Sequence, residues 1–172
     1  MCPCVLFLGM DLYVAHPDDI DAIRGVAKAS WEHDYPEILS RESVETALND
    51  WYSRDRLREE LADPWTHIYV AADGDGSVVG FAHGVLDGEA GNILRIYVRP
   101  DARRRGIGEA LFDRVRHELR RHDIARLNAM VLADNELGNE FYADRGFELA
   151  DRAETTIGGE RFGENTYVLD VE

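Results

Sequence analysis

Three observations predict an α/β fold built on one mixed sheet flanked by helices. Strand-like apolar runs and stretches of helical period alternate in the order β-α-α-β-β-β-α-β-α-β-β. Two of those runs flank an Asp-Gly-Asp-Gly turn at 73–76, a strong hairpin signal. The hydrophobic fraction, 45% of 172 residues, is that of a globular domain with a substantial core. Strands meeting helices in this mixed way imply a sheet that is part antiparallel and part parallel.

Residues 11–16 read as a strand, and 16–31 as a helix with Asp18 or Asp19 near its start. Residues 32–40, with Pro36, read as a loop. The apolar period then predicts helix from 40 to 62, ending before Pro64 because the residue preceding proline avoids helical geometry. The hairpin covers 67–86, and a further strand at 92–98 is stopped by Pro100. The next helix reaches about Arg121, with Ile107, Leu111, Val115 and Leu119 on one face and Arg114, Arg116 and Glu118 off it. A strand at 125–133, a short helix at 135–146 closed by Gly146, and a hairpin at 154–171 complete the chain. Residues 10–172 are expected to form a single domain. Residues 1–9 read as an extension, with Met10 a candidate start. Cys2 and Cys4 lack the ligand count of a structural zinc site.

Charge narrows the function. Acidic residues number 34 against 19 basic ones, a formal net charge of −15, and every basic residue but Lys28 is arginine. A diffusely acidic surface repels phosphate backbones, which excludes nucleic acid as the expected partner. No apolar run reaches the roughly 20 residues that span a bilayer, so no membrane role is expected either. The opening residues lack the basic flank and cleavage pattern of a signal peptide. Together these point to a cytoplasmic protein, and the acidity to a halophilic cytoplasm of the haloarchaeal kind.

Against that background one stretch stands out. Arg103, Arg104 and Arg105 run into a Gly106-Ile107-Gly108 turn that opens a helix. Cations at a helix N-terminus cost roughly a few tenths to 1 kcal/mol each when left alone there. The arrangement becomes favourable when an anion binds the free amides, and the two glycines remove the Cβ atoms that would hold a phosphate away. A Walker A loop needs Gly-Lys-Ser/Thr, but Glu109 and Ala110 follow Gly108. A dinucleotide fingerprint needs a small residue where Leu111 stands. A solvated arginine loop remains the plain alternative.

An Arg-x-x-Gly-x-Gly signature after an apolar strand (Arg103, Gly106 and Gly108 after Ile96, Tyr97 and Val98) has a second marker downstream. Asn135 stands seven residues before Tyr142, which precedes the pair Gly146-Phe147. In these residues, and in element order from about 11 to 171, the chain resembles the GCN5-related N-acetyltransferase (GNAT) family, and with its acidity the haloarchaeal members. The resemblance implies a GNAT-type acyl-CoA N-acyltransferase fold and acetyl-CoA as co-substrate. It implies that Arg103, Arg104, Arg105, Gly106, Ile107, Gly108 and Glu109 bind the pyrophosphate through backbone amides. The main chain of Ile96, Tyr97 and Val98 would pair with the pantetheine arm like an added strand. Asn135 would hydrogen-bond the cofactor. Tyr142 would touch it and act as general acid toward the departing thiolate.

The general base is less evident. Asn92 and Met130 stand where relatives carry a catalytic Glu, so Glu89, acting through water, is the candidate. Trp31, His33, Tyr35 and Phe162 are expected to line the acceptor site. The acceptor would be a primary amine of a small molecule or peptide, and homodimerisation is common in the family. The six histidines show no metal-binding spacing, so no catalytic metal is expected. The competing readings are a non-catalytic acetyl-CoA-binding regulatory module and an unrelated phosphate-binding domain.

Overall fold

The computed structural model describes residues 10–34 and 39–171. The expectations placed on Cys2, Cys4, the 1–9 extension, Tyr35 and Pro36 lie outside the described residues.

Strand β1 (Asp11–Val14) is followed by α1 (Ile20–Asp34), α2 (Arg41–Trp51) and α3 (Arg54–Ala62). The strands β2 (Thr66–Ala72), β3 (Val78–Asp87) and β4 (Ala90–Val98) come next, then α4 (Ile107–Arg120), β5 (Arg126–Leu132), α5 (Glu136–Asp144), β6 (Glu148–Ile157) and β7 (Glu160–Asp170). One seven-stranded sheet has the order β1-β2-β3-β4-β5-β7-β6, antiparallel throughout except where β4 runs parallel to β5.

Several element boundaries differ from those the sequence predicts, and two of the differences have a clear local reason. The helix expected over 40–62 is two helices. Ser53 turns extended, with φ −64° and ψ 151°, and its hydroxyl accepts from the Arg56 amide to cap α3 afresh. A run of apolar period cannot reveal a break that a serine cap makes between two turns. Asp18 and Asp19 stand just ahead of α1, as expected, while the capping position itself is His16. His16 accepts from the Asp18 amide while Asp19 reaches back to the His16 amide, a capping box around a short 3₁₀ turn, Pro17–Asp19.

The sheet buries both faces. The predicted apolar face of α4 is confirmed: Leu111, Val115 and Leu119 are fully buried among Ala82, Ile93, Leu127 and Ala129. Close approach is possible because β3 carries Gly84 under the helix, where a Cβ would come within 2.7 Å of Val115 Cγ1. On the other face α1, α2 and α3 pack Ile23, Val26, Trp31, Tyr52 and Leu57 against Ile68, Val70, Phe81 and Ile157. No described helix is long and apolar enough to cross a membrane.

The sheet is irregular near its middle. Between β3 and β4 the register slips: Gly84 faces Ile93 but His83 faces Arg95, so Leu94 is an extra, bulged residue. The parallel pairing of β4 with β5 covers only residues 90–93 beside 126–129. Beyond the bulge the two strands part.

Candidate active site

Where β4 and β5 diverge, a cavity of about 340 Å³ opens. Leu94, Arg95, Ile96 and Tyr97 form one wall, and Met130, Val131 and Leu132 the other. Trp31, Trp51, Tyr52 and Arg56 close it from the helical side, while Asn135, Gly138, Tyr142, Ile157 and Glu164 close it from α5 and the terminal hairpin. The splayed edge of β4, the α5 start and the end of the β6–β7 hairpin therefore converge on one space.

The arginine turn lies just past the end of β4. Gly106 caps α4 in the left-handed region, with φ 78°, and Arg104 adopts φ 65°. The cap makes no side-chain hydrogen bond, so the first amides of α4 have no such partner. Arg104 and Arg105 are exposed and, among the described residues, no carboxylate pairs with them. Arg103 behaves differently. Its guanidinium grips Asp34 at the end of α1 through two bonds of 2.6 and 2.7 Å, and its Nε donates to the Val98 carbonyl at 3.0 Å. That carbonyl also accepts from the Ser30 hydroxyl at 3.3 Å. Arg103 thus ties α1 to the end of β4, and the Val98 carbonyl is already satisfied. Burial pushes the Asp34 carboxyl up, but the hydrogen bonds from Arg103 and His33 outweigh burial and hold it below its ordinary value.

Asn135 caps α5, its side-chain oxygen accepting from the Gly138 amide at 3.0 Å. Tyr142, near the end of the same helix, is 6% exposed and packs against Phe112, Phe141, Phe147 and Tyr167. Burial, with Tyr97 nearby, pushes its phenol well above the ordinary value, so it stays protonated at neutral pH. The placement of α5 depends on a residue that no sequence motif singles out. Asn139 donates to the carbonyls of Leu132 and Asn135 at 3.0 and 2.7 Å, and accepts from Asn165 at 2.9 Å and the Tyr167 hydroxyl at 2.6 Å.

The structure does not bring the other sequence candidates together in the same way. Glu89 is exposed in the β3–β4 turn, five residues before Leu94 and at the far end of β4 from the cavity. Five extended residues span roughly 16 Å. Trp31 lines the cavity, whereas His33 is exposed and bonded to Asp34, and Phe162 packs against the α1–α3 core. Among the described residues, the carboxylate that does line the cavity is Glu164, on β7 opposite Leu132. Burial raises its pKa above the ordinary carboxylate value. Only strand pairing could have revealed it, since its sequence neighbourhood reads as a polar hairpin.

A family model described as the acetyltransferase (GNAT) family matches residues 25–147, which spans most of α1 to just past the end of α5. The chain belongs to the GNAT family. It is an acetyl-CoA-dependent N-acetyltransferase, on a GNAT acyltransferase fold. It is 25% identical over 137 residues to a spermidine N(1)-acetyltransferase of Thermoplasma acidophilum, covering 78% of this chain and 85% of that one. The PaiA N-acetyltransferase of the same organism, crystallised with coenzyme A, superposes with a TM-score of 0.78 at 23% identity over 92% of this chain and 99% of that one. A GCN5-related N-acetyltransferase from Rhodopseudomonas palustris gives 0.79 at 25% identity, with 93% and 94% covered.

Proposed function

We propose that this GNAT enzyme acetylates a primary amine of a small molecule within the cavity between β4 and β5, with a peptide amine as the alternative acceptor. The observation that carries the reading is the parting of the two parallel strands beside a glycine-capped helix start. Past Ile93, β4 stays paired with β3 but leaves its β5-facing edge open, which offers main-chain groups to a pantetheine arm, and the α4 amides with Arg104 and Arg105 suit a diphosphate. A cavity of about 340 Å³, walled on several sides, is of a size for a small ligand.

In the proposed reaction the neutral amine attacks the thioester carbonyl carbon. The carbon–sulfur bond then breaks, leaving the acetyl group on nitrogen. The amine loses its extra proton to a carboxylate, and the sulfur receives one from a phenol. Tyr142 suits the second role because it lines the cavity and remains protonated. Glu164 suits the first better than Glu89 does, because it lines the same cavity and burial raises its proton affinity. Asn135 orders the start of α5 and so the approach to Tyr142.

Screening an amine panel that includes spermidine and N-terminal peptides, by release of the CoA thiol, tests the reading. Thiol release with a matching acetylated product is expected. CoA binding without turnover on any amine would instead favour a non-catalytic acetyl-CoA-binding module. Tyr142→Phe is expected to lower kcat about 100-fold or more while leaving acetyl-CoA affinity nearly intact.

A further inference from the structure

At the far end of α4, roughly 17 Å along the helix from its glycine cap, two imidazoles and a carboxylate meet. His67 stands on β2 opposite Gly84, the glycine over which α4 lies closest. That close approach carries Glu118, in the last turn of α4, and His122, just past its end, over β2. Donor atoms of His67, Glu118 and His122 all fall within 4.8 Å of one another. Glu118 Oε1 lies 4.0 Å from His67 Nδ1, and the His67 and His122 rings are 5.6 Å apart at 39°. The His67 and Glu118 side chains are only 19% and 18% exposed. His67 Nε2 is buried with no hydrogen-bond partner.

An ion pair does not account for this arrangement. At 4.0 Å His67 and Glu118 make no hydrogen bond. A proton on either ring would also place charge beside the second imidazole, which has no role in such a pair. A Lewis acid uses all three groups at once. We propose that His67, Glu118 and His122 bind a divalent transition metal, zinc by donor chemistry, which pins the end of α4 to β2. Two nitrogens and one carboxylate oxygen match zinc, with a water completing a tetrahedron on the exposed side. Tetrahedral bonds of about 2.0–2.2 Å set donors roughly 3.3 Å apart. Closing from spacings of up to 4.8 Å takes movements of up to about 1.5 Å, shared between the exposed His122 and a smaller shift of the His67–Glu118 pair. Arg121 supports the ligand from outside, holding Glu118 Oε2 at 3.2 Å while Oε1 faces His67. The site stands apart from the acetyl-transfer cleft, so its role is structural. The ligands were hidden in sequence because the third one comes from a strand fifty-one positions before Glu118.

The experiment titrates zinc into metal-stripped full-length protein, in a Cys2→Ser/Cys4→Ser background that removes the terminal thiols, with millimolar Mg²⁺ to occupy the acidic surface. The expected result is one zinc per chain by calorimetry, with affinity falling at least tenfold in His122→Ala and in Glu118→Gln. A zinc excess of about 100 times Kd should raise the unfolding midpoint of the parent by roughly 5–10 °C. His122 is exposed and Glu118→Gln keeps the shape of a largely buried side chain, and matching CoA heats will show that both variants fold. Cobalt substitution reads the parent alone: intense visible bands indicate tetrahedral nitrogen–oxygen ligation. No zinc heat in the parent, zinc heats equal in parent and variants, or a cobalt spectrum like that of the free aqueous ion would each overturn the proposal.

Discussion

Among the described residues Glu164 is the carboxylate that lines the cavity together with Tyr142, and its environment suits proton acceptance. Burial raises its pKa above the ordinary 4.5, so it is protonated at acid pH and becomes a competent base as pH rises through that raised value. The acid limb of kcat/KM is therefore expected above the usual carboxylate range. Glu164→Gln is expected to lower kcat about 100-fold and to remove that inflection, leaving only the ionisation of the amine itself. An unaltered pH–rate profile would return the base role to water or to Glu89. Gly108 poses a different question. A Cβ there would meet Phe141 and Val98 at 3.7 Å, ordinary contact, and its φ is not in the left-handed region. No protein neighbour requires glycine at this position, unlike Gly106, whose φ of 78° does. The proposed diphosphate site supplies a reason, because its oxygens would approach the backbone at this position. Gly108→Ala is accordingly expected to leave the unfolding midpoint unchanged or slightly higher, since alanine favours a helix by about 1 kcal/mol. CoA affinity should fall about tenfold or more, close to 1.4 kcal/mol. Calorimetry with CoA beside a thermal melt separates the two effects, and undiminished affinity would count against the diphosphate site.

At the scale of elements, the clamp between Arg103 and Asp34 joins α1 to the turn after β4. It recasts the arginine run: one of the three cations is committed to architecture, and two remain exposed. The sign of its pH dependence follows from the lowered Asp34 pKa. The stabilisation is fully present above the ordinary value of 3.8 and is lost as pH falls through the lower native value. Asp34→Asn is expected to cost about 1.5–3 kcal/mol at neutral pH, the range for hydrogen bonds to charged groups. The difference from the parent should shrink below pH 3.8 in urea melts; a gap constant with pH would mean the carboxylate charge contributes nothing. What sequence reveals at this scale depends on contiguity. The glycine turn, the amphipathic face of α4 and the Asn135–Tyr142 spacing are written within single elements, and all were legible. The break at Ser53 was not, because the apolar period continues across it. Nor was the early start of β6 at Glu148, where an exposed edge strand carries no burial alternation. Arg103's partner, Asn139's network and Glu164's position all arise from contacts between elements distant in the chain. No local pattern encodes them.

The molecule as a whole carries a formal charge of −15 over 172 residues. Several of its ion pairs are exposed, such as Arg58–Asp55 and Arg161–Glu154, and contribute at most about 1 kcal/mol each. Salt acts on two opposing terms here. It weakens those local pairs, each a few ångströms long, and it weakens the repulsion summed over the whole surface. The second term operates over distances longer than the Debye length, about 10 Å at 0.1 M and 3 Å at 1 M, and so is screened first and most completely. The clamp at Asp34 is largely shielded from solvent and is screened less. Self-repulsion should therefore dominate, and stability should rise with ionic strength. The expected outcome is an unfolding midpoint that climbs by several degrees between about 0.1 and 2 M KCl. Most of the gain should come below about 1 M, where the Debye length shortens most. Using chloride rather than sulfate limits the surface-exclusion effect that strengthens burial in any protein. A midpoint that falls over this range would show that the surface pairs outweigh net charge. One that climbs only above about 1 M would point to salt effects on hydrophobic burial in place of charge screening.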